Sequence, residues 1–328
     1  MREENVIRTN SFNKIPAYQK EETKELKQPG KIRKFFRKDS TQAVCMISPM
    51  AISFFVFSYF PILFIIRYAF YDFDGFTSTF IGAQNFIRLF TRDTAYWTSI
   101  GNTLVLTGVK VFVEIPLALI LAIMLFQGLK GSGLYRVLLF LPTIISTAIS
   151  GLVFSLLFAS YHGAINDMLM KVGILNQAVN WFGQKWTSMF VLSVASVWCF
   201  IGINIIFFLM ALQSVPKELY ECVKLDGAGG IKKFFYVTLP MIGPIFRIVL
   251  LNAIIGSLKV ADLVLASTNG APNGETEVVM TYVFKYFFGY GGRRQEIGYA
   301  STMAFVTAIF LGLITLVYLK SSKKMNAY

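Results

Sequence analysis

Residues able to carry out chemistry are sparse in this chain of 328 residues. The only histidine is His162, and no Ser, Cys or Asp pattern accompanies it to form a catalytic constellation. The three cysteines, Cys45, Cys199 and Cys222, have no C-x-x-C spacing, so neither a disulfide framework nor a zinc site is indicated. No G-x-x-x-x-G-K-[ST] sequence occurs, which excludes a P-loop ATPase. The sequence therefore predicts a protein with no catalytic residue, metal site or bound cofactor of its own.

Two pairs of charged residues lie in or beside apolar segments, where an unpaired charge is costly. Lys110 and Glu114 are four residues apart on one helical face and can neutralise each other, so structural pairing is favoured over a substrate role. Lys259 and Asp262 are three residues apart near the end of another apolar segment, where a lysine can extend towards the membrane surface.

The elements that hold these residues are membrane helices. The chain is 55% hydrophobic, whereas soluble domains are about 45–50% apolar. Six apolar runs are long enough to cross a bilayer, at residues 44–70, 100–126, 137–158, 189–212, 244–265 and 298–319. Four prolines predict kinks rather than breaks in these runs, because neighbouring helices can satisfy the freed backbone groups: Pro49, Pro61, Pro116 and Pro142. We expect an all-α polytopic membrane protein, with its transmembrane domain at residues 41–325.

The distribution of positive charge predicts the orientation. Residues 1–40 hold eleven Lys/Arg against six Asp/Glu and no apolar run, so they form a polar basic tail and not a signal peptide. With this tail in the cytoplasm, 20 of the 31 Lys/Arg lie on the inner side and 7 on the outer side. That split follows the positive-inside rule, although without the tail the counts are 9 and 7. Both termini are expected in the cytoplasm, and the net charge of +13 does not indicate a nucleic-acid partner.

Residues 213–243 form a polar loop between the fourth and fifth apolar runs. Pro216 and Glu218 suit the first turn of a short helix, and Gly227 suits the left-handed residue that ends it. Pro240 predicts an extended backbone at Leu239, where the chain re-enters the membrane. On physical grounds alone, this polar loop is either an amphipathic segment on the lipid surface or a docking element for another protein.

The spacing within the polar loop resembles the EAA loop of the permease subunits of binding-protein-dependent ABC importers. That pattern is Glu-Ala-Ala, three residues, Gly, nine residues, Ile, one residue and Leu-Pro. Cys-Val replaces Ala-Ala and Val replaces Ile in this chain, and every spacing is kept. The matching residues are Glu221, Cys222, Val223, Gly227, Val237, Leu239 and Pro240.

Further motifs resemble the sugar-transporting branch of that family. GAQNF at residues 82–86 is similar to G-x-x-N-F, and residues 136–142 and 163–166 resemble the third span and the loop that follows it. Asp262 followed by TNGAP at residues 268–272 resembles the F-D…T-x-G-G-P element of the first of two sugar permeases, with Ala271 replacing a glycine. The resemblance covers roughly residues 47–319 and indicates a carbohydrate-uptake permease of the maltose/multiple-sugar kind.

This resemblance implies a type I ABC importer permease fold in the bacterial cytoplasmic (inner) membrane, with a cytoplasmic coupling-helix loop. The implied partners are a second homologous permease, two ATPase subunits that bind ATP and Mg, and an extracytoplasmic solute-binding protein. The substrate would be a carbohydrate, with an oligosaccharide favoured, and this chain would perform no chemistry itself. The loop residues implied to engage the ATPase are Glu218, Glu221, Asp226, Gly227, Leu239 and Pro240.

Asn204 and Asn252 are the candidates for the substrate path, because side-chain amides can bond sugar hydroxyls beside aromatic residues. The same groups commonly hold membrane helices together, and both interpretations stay open. A second functional class, an ion-coupled secondary transporter, would use Lys110, Glu114 and Asp262 as its coupling groups. An integral-membrane enzyme is a third class, for which a single histidine leaves little material. The identity of the sugar is also left open.

Overall fold

The computed structural model describes residues 39–128, 131–225 and 227–324. The described residues fall into two compact units, divided between Pro61 and Ile62. The predicted basic tail, residues 1–40, lies outside the described residues up to residue 38, and the predicted site residue Asp226 also lies outside them.

Membrane-length helices make up most of the described chain. Among the described residues, five continuous helices are long and apolar enough to cross a bilayer, and a pair of helices bent by 99° is the sixth if the two form one span. Spans 1 to 6 are Gln42–Tyr68, Thr94–Phe126, Ser132–Ile144 with Thr147–Leu157, Lys185–Gln213, Gly230–Leu258 and Ile297–Ser322. In the part of the chain that the structure describes, the helix of span 1 begins at Asp39 and that of span 6 ends at Lys324. These spans confirm the expected helical, polytopic architecture. Helices suit a membrane because they satisfy their backbone groups internally where lipid offers no partners.

Three spans contain a π-helical turn, and each turn ends two residues before a proline. The turns are Phe55–Tyr59 before Pro61, Lys110–Glu114 before Pro116 and Phe234–Thr238 before Pro240. A proline has no N–H, and its ring clashes with the carbonyl four residues earlier. A wider π-turn relieves that clash without breaking the helix. The helices therefore continue through Pro61 and Pro116 without a break, as the sequence predicts, and a π-turn precedes each proline.

The backbone before Pro240 differs from the sequence prediction. Leu239 is helical, with φ −63° and ψ −43°, and is not extended. The π-turn gives the proline ring the room that an extended residue was expected to provide. The fifth span therefore runs from Gly230 to Leu258, whereas residues 244–265 were predicted. The second half of the predicted loop, residues 213–243, is consequently the first part of a membrane-length helix.

The third span is broken, and the prediction that Pro142 only kinks it is wrong. Its two helices are bent by 99° at Ile145 and Ser146, whose backbones are extended. The second helix packs closely on the short helix Asp262–Ser267, since a Cβ added to Gly151 would lie 2.8 Å from the Leu263 carbonyl oxygen. This contact with a distant part of the chain sets the direction of the second half of the span.

Short elements connect the spans. Five helices of fewer than eleven residues lie between them: Gln84–Thr91, Ala164–Lys171, Lys217–Leu225, Asp262–Ser267 and Val279–Phe288. A single 3₁₀ turn, Tyr290–Gly292, precedes span 6 in the described part of the chain. Two strands, β1 (Tyr71–Phe73) and β2 (Ser78–Phe80), form an antiparallel hairpin. This hairpin is an addition to the all-α class expected from the sequence.

The turn of the hairpin is held by Asp74. Its Oδ1 accepts hydrogen bonds from the backbone N–H groups of Thr77 at 2.8 Å and Phe76 at 3.0 Å. These bonds hold the pKa of Asp74 below its usual value, because they favour the ionised carboxylate. Gly75, with φ +103°, supplies the backbone conformation that closes the turn.

The largest part of the core lies between spans 2 and 4. Span 2 contributes small and aliphatic residues, and span 4 contributes larger ones that fill the space beside them. The buried members include Ile115, Ala118, Leu119, Ala122 and Leu125 of span 2, Ile201, Ile205, Phe208, Leu209, Ala211 and Leu212 of span 4, and Ile242, Val249 and Ala253 of span 5. Small residues at such a contact let two membrane helices approach closely.

Gly202 tests how tightly spans 3 and 4 are packed. A Cβ at this position would lie 2.4 Å from the Leu139 carbonyl oxygen and 2.9 Å from the Cα of Phe140. We expect Gly202→Ala to destabilise the protein by about 1–3 kcal/mol through overpacking, measured by thermal unfolding in detergent. Gly101→Ala is the matched control, because no atom lies within 4 Å of its added Cβ. Equal unfolding temperatures for the two variants would contradict this packing.

Candidate functional site

A short, exposed helix forms the centre of the polar loop. Span 4 ends at Gln213, and the helix Lys217–Leu225 begins directly after Pro216, whose fixed φ suits the start of a helix. Glu218 lies in the first turn, where a negative charge is favoured by the helix dipole. Both Glu218 and the motif residue Glu221 are exposed. The helix therefore presents its acidic residues to the surroundings of this chain.

The helix ends in a Schellman motif. The N–H of Gly227 bonds the Lys224 carbonyl, and the N–H of Ala228 bonds the Val223 carbonyl, both at 3.2 Å. Gly227 adopts the left-handed conformation that the sequence predicts, with φ +69°. No atom lies within 4 Å of an added Cβ, so backbone conformation and not close packing requires glycine here.

Large apolar side chains beside this helix end are exposed. Leu225 is 88% exposed, Ile231 78% and Tyr236 81%. Exposed apolar residues grouped with charged ones are typical of a surface that another protein or a membrane covers. Leu239 and Pro240 lie farther along span 5, the helix that also carries Ile231 and Tyr236. They are therefore not part of the short helix Lys217–Leu225.

Lys110, Glu114 and Asn204 meet in the interior of the bundle. The carboxylate of Glu114 lies 3.9 Å from Lys110 Nζ, and its Oε1 accepts a hydrogen bond of 2.7 Å from the side-chain amide of Asn204. Lys110 Nζ also lies 3.6 Å from the centre of the Phe200 ring, a cation–π contact. The three polar residues are buried. The sequence paired Lys110 with Glu114 but placed Asn204 separately, because nothing in the spacing indicates that spans 2 and 4 meet there.

The remaining predicted residues do not join this group. Asn252 is exposed on span 5. Lys259 and Asp262 follow the end of span 5 at Leu258 and are also exposed. His162 is exposed and has φ +52°. In the described part of the chain, no cluster of three His, Cys, Asp or Glu could hold a metal ion.

Asp93 joins three elements at the end of the bundle opposite the polar loop. Its carboxylate caps span 2 by accepting the N–H of Tyr96 at 2.9 Å. It also accepts the hydroxyls of Tyr282 at 2.9 Å and Tyr299 at 2.6 Å. Burial, followed by the hydrogen bond with Tyr286, raises the pKa of Tyr282, so its hydroxyl stays a protonated donor. Sequence reasoning missed this group, although Asp93 directly before a helix is a recognisable N-cap signal.

Span 2 also holds the loop before the helix Val279–Phe288. The amide of Asn102 donates to the carbonyls of Glu275 at 2.6 Å and Glu277 at 2.8 Å. The hydroxyl of Thr103 accepts the N–H of Val279 at 3.0 Å. The loop at residues 275–279 is therefore attached to span 2.

A buried ion pair completes this loop. Lys285 Nζ lies 3.0 Å from Glu277 Oε1 and donates to the Asn269 carbonyl at 2.7 Å. Arg293 approaches the same Glu277 oxygen at 3.6 Å. In the sequence analysis, Lys285 and Arg293 contributed only to the count of positive charges on the outer side. The structure shows that both are ion-pair partners of Glu277.

A polar cavity of about 520 Å³ opens at this same end. The β1–β2 hairpin, the helix Gln84–Thr91 and the segment before span 6 form its walls. The charged side chains that line it are Asp72, Asp74, Arg88, Arg92, Arg294 and Glu296. Arg88 and Glu296 form an ion pair across the cavity wall. Three acidic and three basic residues make the lining charge-rich but close to neutral.

Comparisons with known proteins agree on one family. Residues 114–323 match the family model described as binding-protein-dependent transport system inner membrane component. The arabinooligosaccharides transport system permease protein AraP of Bacillus subtilis (strain 168) is 32% identical over 278 residues, which cover 84% of this chain and 86% of that protein. The lactose transport system permease protein LacF of Rhizobium radiobacter is 30% identical over 263 residues, covering 79% and 87%.

The fold is similar to that of a solved transporter. A chain of a bacterial ABC transporter involved in the import of the acidic polysaccharide alginate superimposes with a TM-score of 0.76. The match covers 89% of this chain and 98% of that one, at 24% sequence identity.

The tyrosine contacts of Asp93 can be tested by removing one hydroxyl. Tyr299→Phe leaves the buried ring but deletes the 2.6 Å bond to Asp93. We expect a loss of about 1.5–3 kcal/mol in unfolding free energy, because the acceptor is a carboxylate. Tyr290→Phe, at an exposed position, is the control and should change stability by less than about 0.5 kcal/mol. Denaturant unfolding in detergent measures both, and a neutral Tyr299→Phe would refute the assignment.

Proposed function

Because this chain belongs to the family of binding-protein-dependent transport system inner membrane components, we propose that it is the permease subunit that carries a carbohydrate across the membrane into the cell. The relatives named for arabinooligosaccharides and lactose support a saccharide substrate. An oligosaccharide is favoured over a single sugar by the first of these names. The chain itself catalyses no reaction in this proposal, and ATP with Mg is hydrolysed on separate ATPase subunits.

The proposed assembly contains a second homologous permease, two ATPase subunits and an extracytoplasmic solute-binding protein. The alginate transporter of similar fold has also been solved with an alginate pentasaccharide-bound periplasmic protein, which supports the last of these partners. Positive charge near the polar loop and the C-terminus supports placing both in the cytoplasm. The polar cavity and the Asp93 group then face outward, towards the binding protein.

One observation carries the proposed link to the ATPase: an exposed helix with a fixed end, flanked by exposed apolar side chains. The Schellman motif at Gly227 gives the helix Lys217–Leu225 a single defined end. Leu225 and Ile231 can enter an apolar groove on the ATPase subunit, while Glu218 and Glu221 remain available for polar contacts. A short helix held in this way converts closure of the ATPase into rigid movement of the spans.

Gly227→Pro tests this docking role. Proline cannot adopt φ +69°, and it removes the N–H that bonds the Lys224 carbonyl, so the helix end should be lost. We expect loss of co-purification with the ATPase subunits and loss of transport. Gly229→Ala is the control, since Gly229 has φ −68° and space for a Cβ. Normal assembly and transport by Gly227→Pro would show that this helix end is not the docking element.

The energy source separates this function from ion-coupled transport. Glu114 is bonded to Asn204 inside the bundle and Asp262 is exposed beyond span 5, which disfavours them as coupling groups. In liposomes containing the assembled transporter and its binding protein, uptake of labelled oligosaccharide should require ATP on the ATPase side. It should also persist with a proton ionophore. Uptake that the ionophore abolishes and ATP depletion does not change would favour the ion-coupled class.

A further inference from the structure

Span 4 connects directly to the loop helix. Only three residues, Ser214 to Pro216, separate the end of span 4 at Gln213 from Lys217. Val215 in this connection is buried against the core formed by spans 2 and 4. A displacement of the loop helix therefore acts on span 4 through a short, anchored connection, with little slack to absorb it.

Span 4 is linked to span 2 by one hydrogen bond between buried side chains. Asn204, nine residues before the end of span 4, donates to Glu114 Oε1 at 2.7 Å. Glu114 is fully buried and Asn204 is nearly so. Water therefore cannot readily replace the hydrogen bond between them. Because the acceptor is a carboxylate, this bond is stronger than one between neutral groups.

The Glu114 side of this bond is only partly satisfied. Its second oxygen, Oε2, has no hydrogen-bond partner among the described residues. Lys110 Nζ lies 3.9 Å away, beyond hydrogen-bond distance, and faces the Phe200 ring instead. Both Lys110 and Glu114 belong to the π-turn before Pro116, and such turns are frequent at functional sites. A small change of this turn would bring Lys110 onto Oε2, which gives the site a second arrangement.

The other half of span 2 reaches the opposite end of the bundle. Asn102 and Thr103, two turns before Lys110, hold the backbone of Glu275, Glu277 and Val279. A shift of span 2 at Glu114 is therefore carried to the loop before the helix Val279–Phe288.

We propose that the Asn204–Glu114 bond is a positioning contact that transmits movement of the loop helix to span 2 and, through it, to the loop at residues 275–279. This proposal rests on the proposed function, because it assigns the route by which the ATPase would act on the far side of the permease. Asn204 and Glu114 contact each other inside the bundle.

Asn204→Leu removes the donor while keeping a side chain of similar size. In the complete transporter, reconstituted in liposomes with its binding protein, we expect the number of ATP molecules hydrolysed per oligosaccharide imported to rise by about tenfold, within the usual range of coupling free energies. Glu114→Leu combined with Lys110→Met removes the acceptor without leaving a buried unpaired charge, and it should give the same increase. Glu114→Gln combined with Lys110→Gln retains an acceptor for Asn204 without burying an unpaired charge, so it should restore most of the coupling.

Controls separate transmission from a loss of folding or of the proposed function. Ser193→Ala removes a hydroxyl that bonds the Met189 carbonyl within span 4, and it should leave the ATP ratio unchanged. The rate of ATP hydrolysis and the unfolding temperature are measured for every variant. An unchanged ATP ratio in Asn204→Leu, or an increase explained by a matching loss of assembled complex, would overturn the proposal. Failure of the wild-type complex to import any oligosaccharide would instead refute the proposed function.

Discussion

The hydrogen-bonding requirement of a backbone in lipid is the constraint on which this structure depends. Each span must satisfy its N–H and C=O groups within the helix, yet the chain places prolines in several spans. Three of these prolines are accommodated by a π-turn two residues earlier. In span 2 that same turn carries Lys110 and Glu114, so a solution to a backbone problem also positions the buried charges.

The buried charges and the apolar core are parts of one contact between spans 2 and 4. After Glu114, towards the C-terminal end of span 2, small residues such as Ala118 and Ala122 allow span 4 to approach closely. At Glu114, the Asn204 amide fixes the relative position of the two helices along their length. Apolar packing alone permits some sliding, whereas a directional bond to a carboxylate does not. This is why the pair suits the transmission of movement.

The two ends of the bundle are built differently. The end with the polar loop exposes a helix and apolar side chains, with its glycine required by backbone conformation and not by packing. The opposite end is closed by buried polar contacts through Asp93, Asn102 and Glu277. In the proposed mechanism, a partner moves the first end and the second end follows because it is attached to span 2.

The sequence by itself determined the membrane class, the positions of most spans, the left-handed Gly227 and the similarity to permeases, because hydropathy, glycine conformation and motif spacing are local properties. Tertiary structure decided the rest. The second helix of span 3 packs on Leu263 after the break at Ile145. The helical Leu239 follows a π-turn that a proline alone does not predict, since no such turn ends two residues before Pro142 or Pro244. The sequence proposed Asn204 as a substrate residue or a helix-packing residue, and the structure adds its hydrogen bond to Glu114. Contacts between residues ninety positions apart arise from helix packing, and hydropathy and spacing along one chain do not encode them.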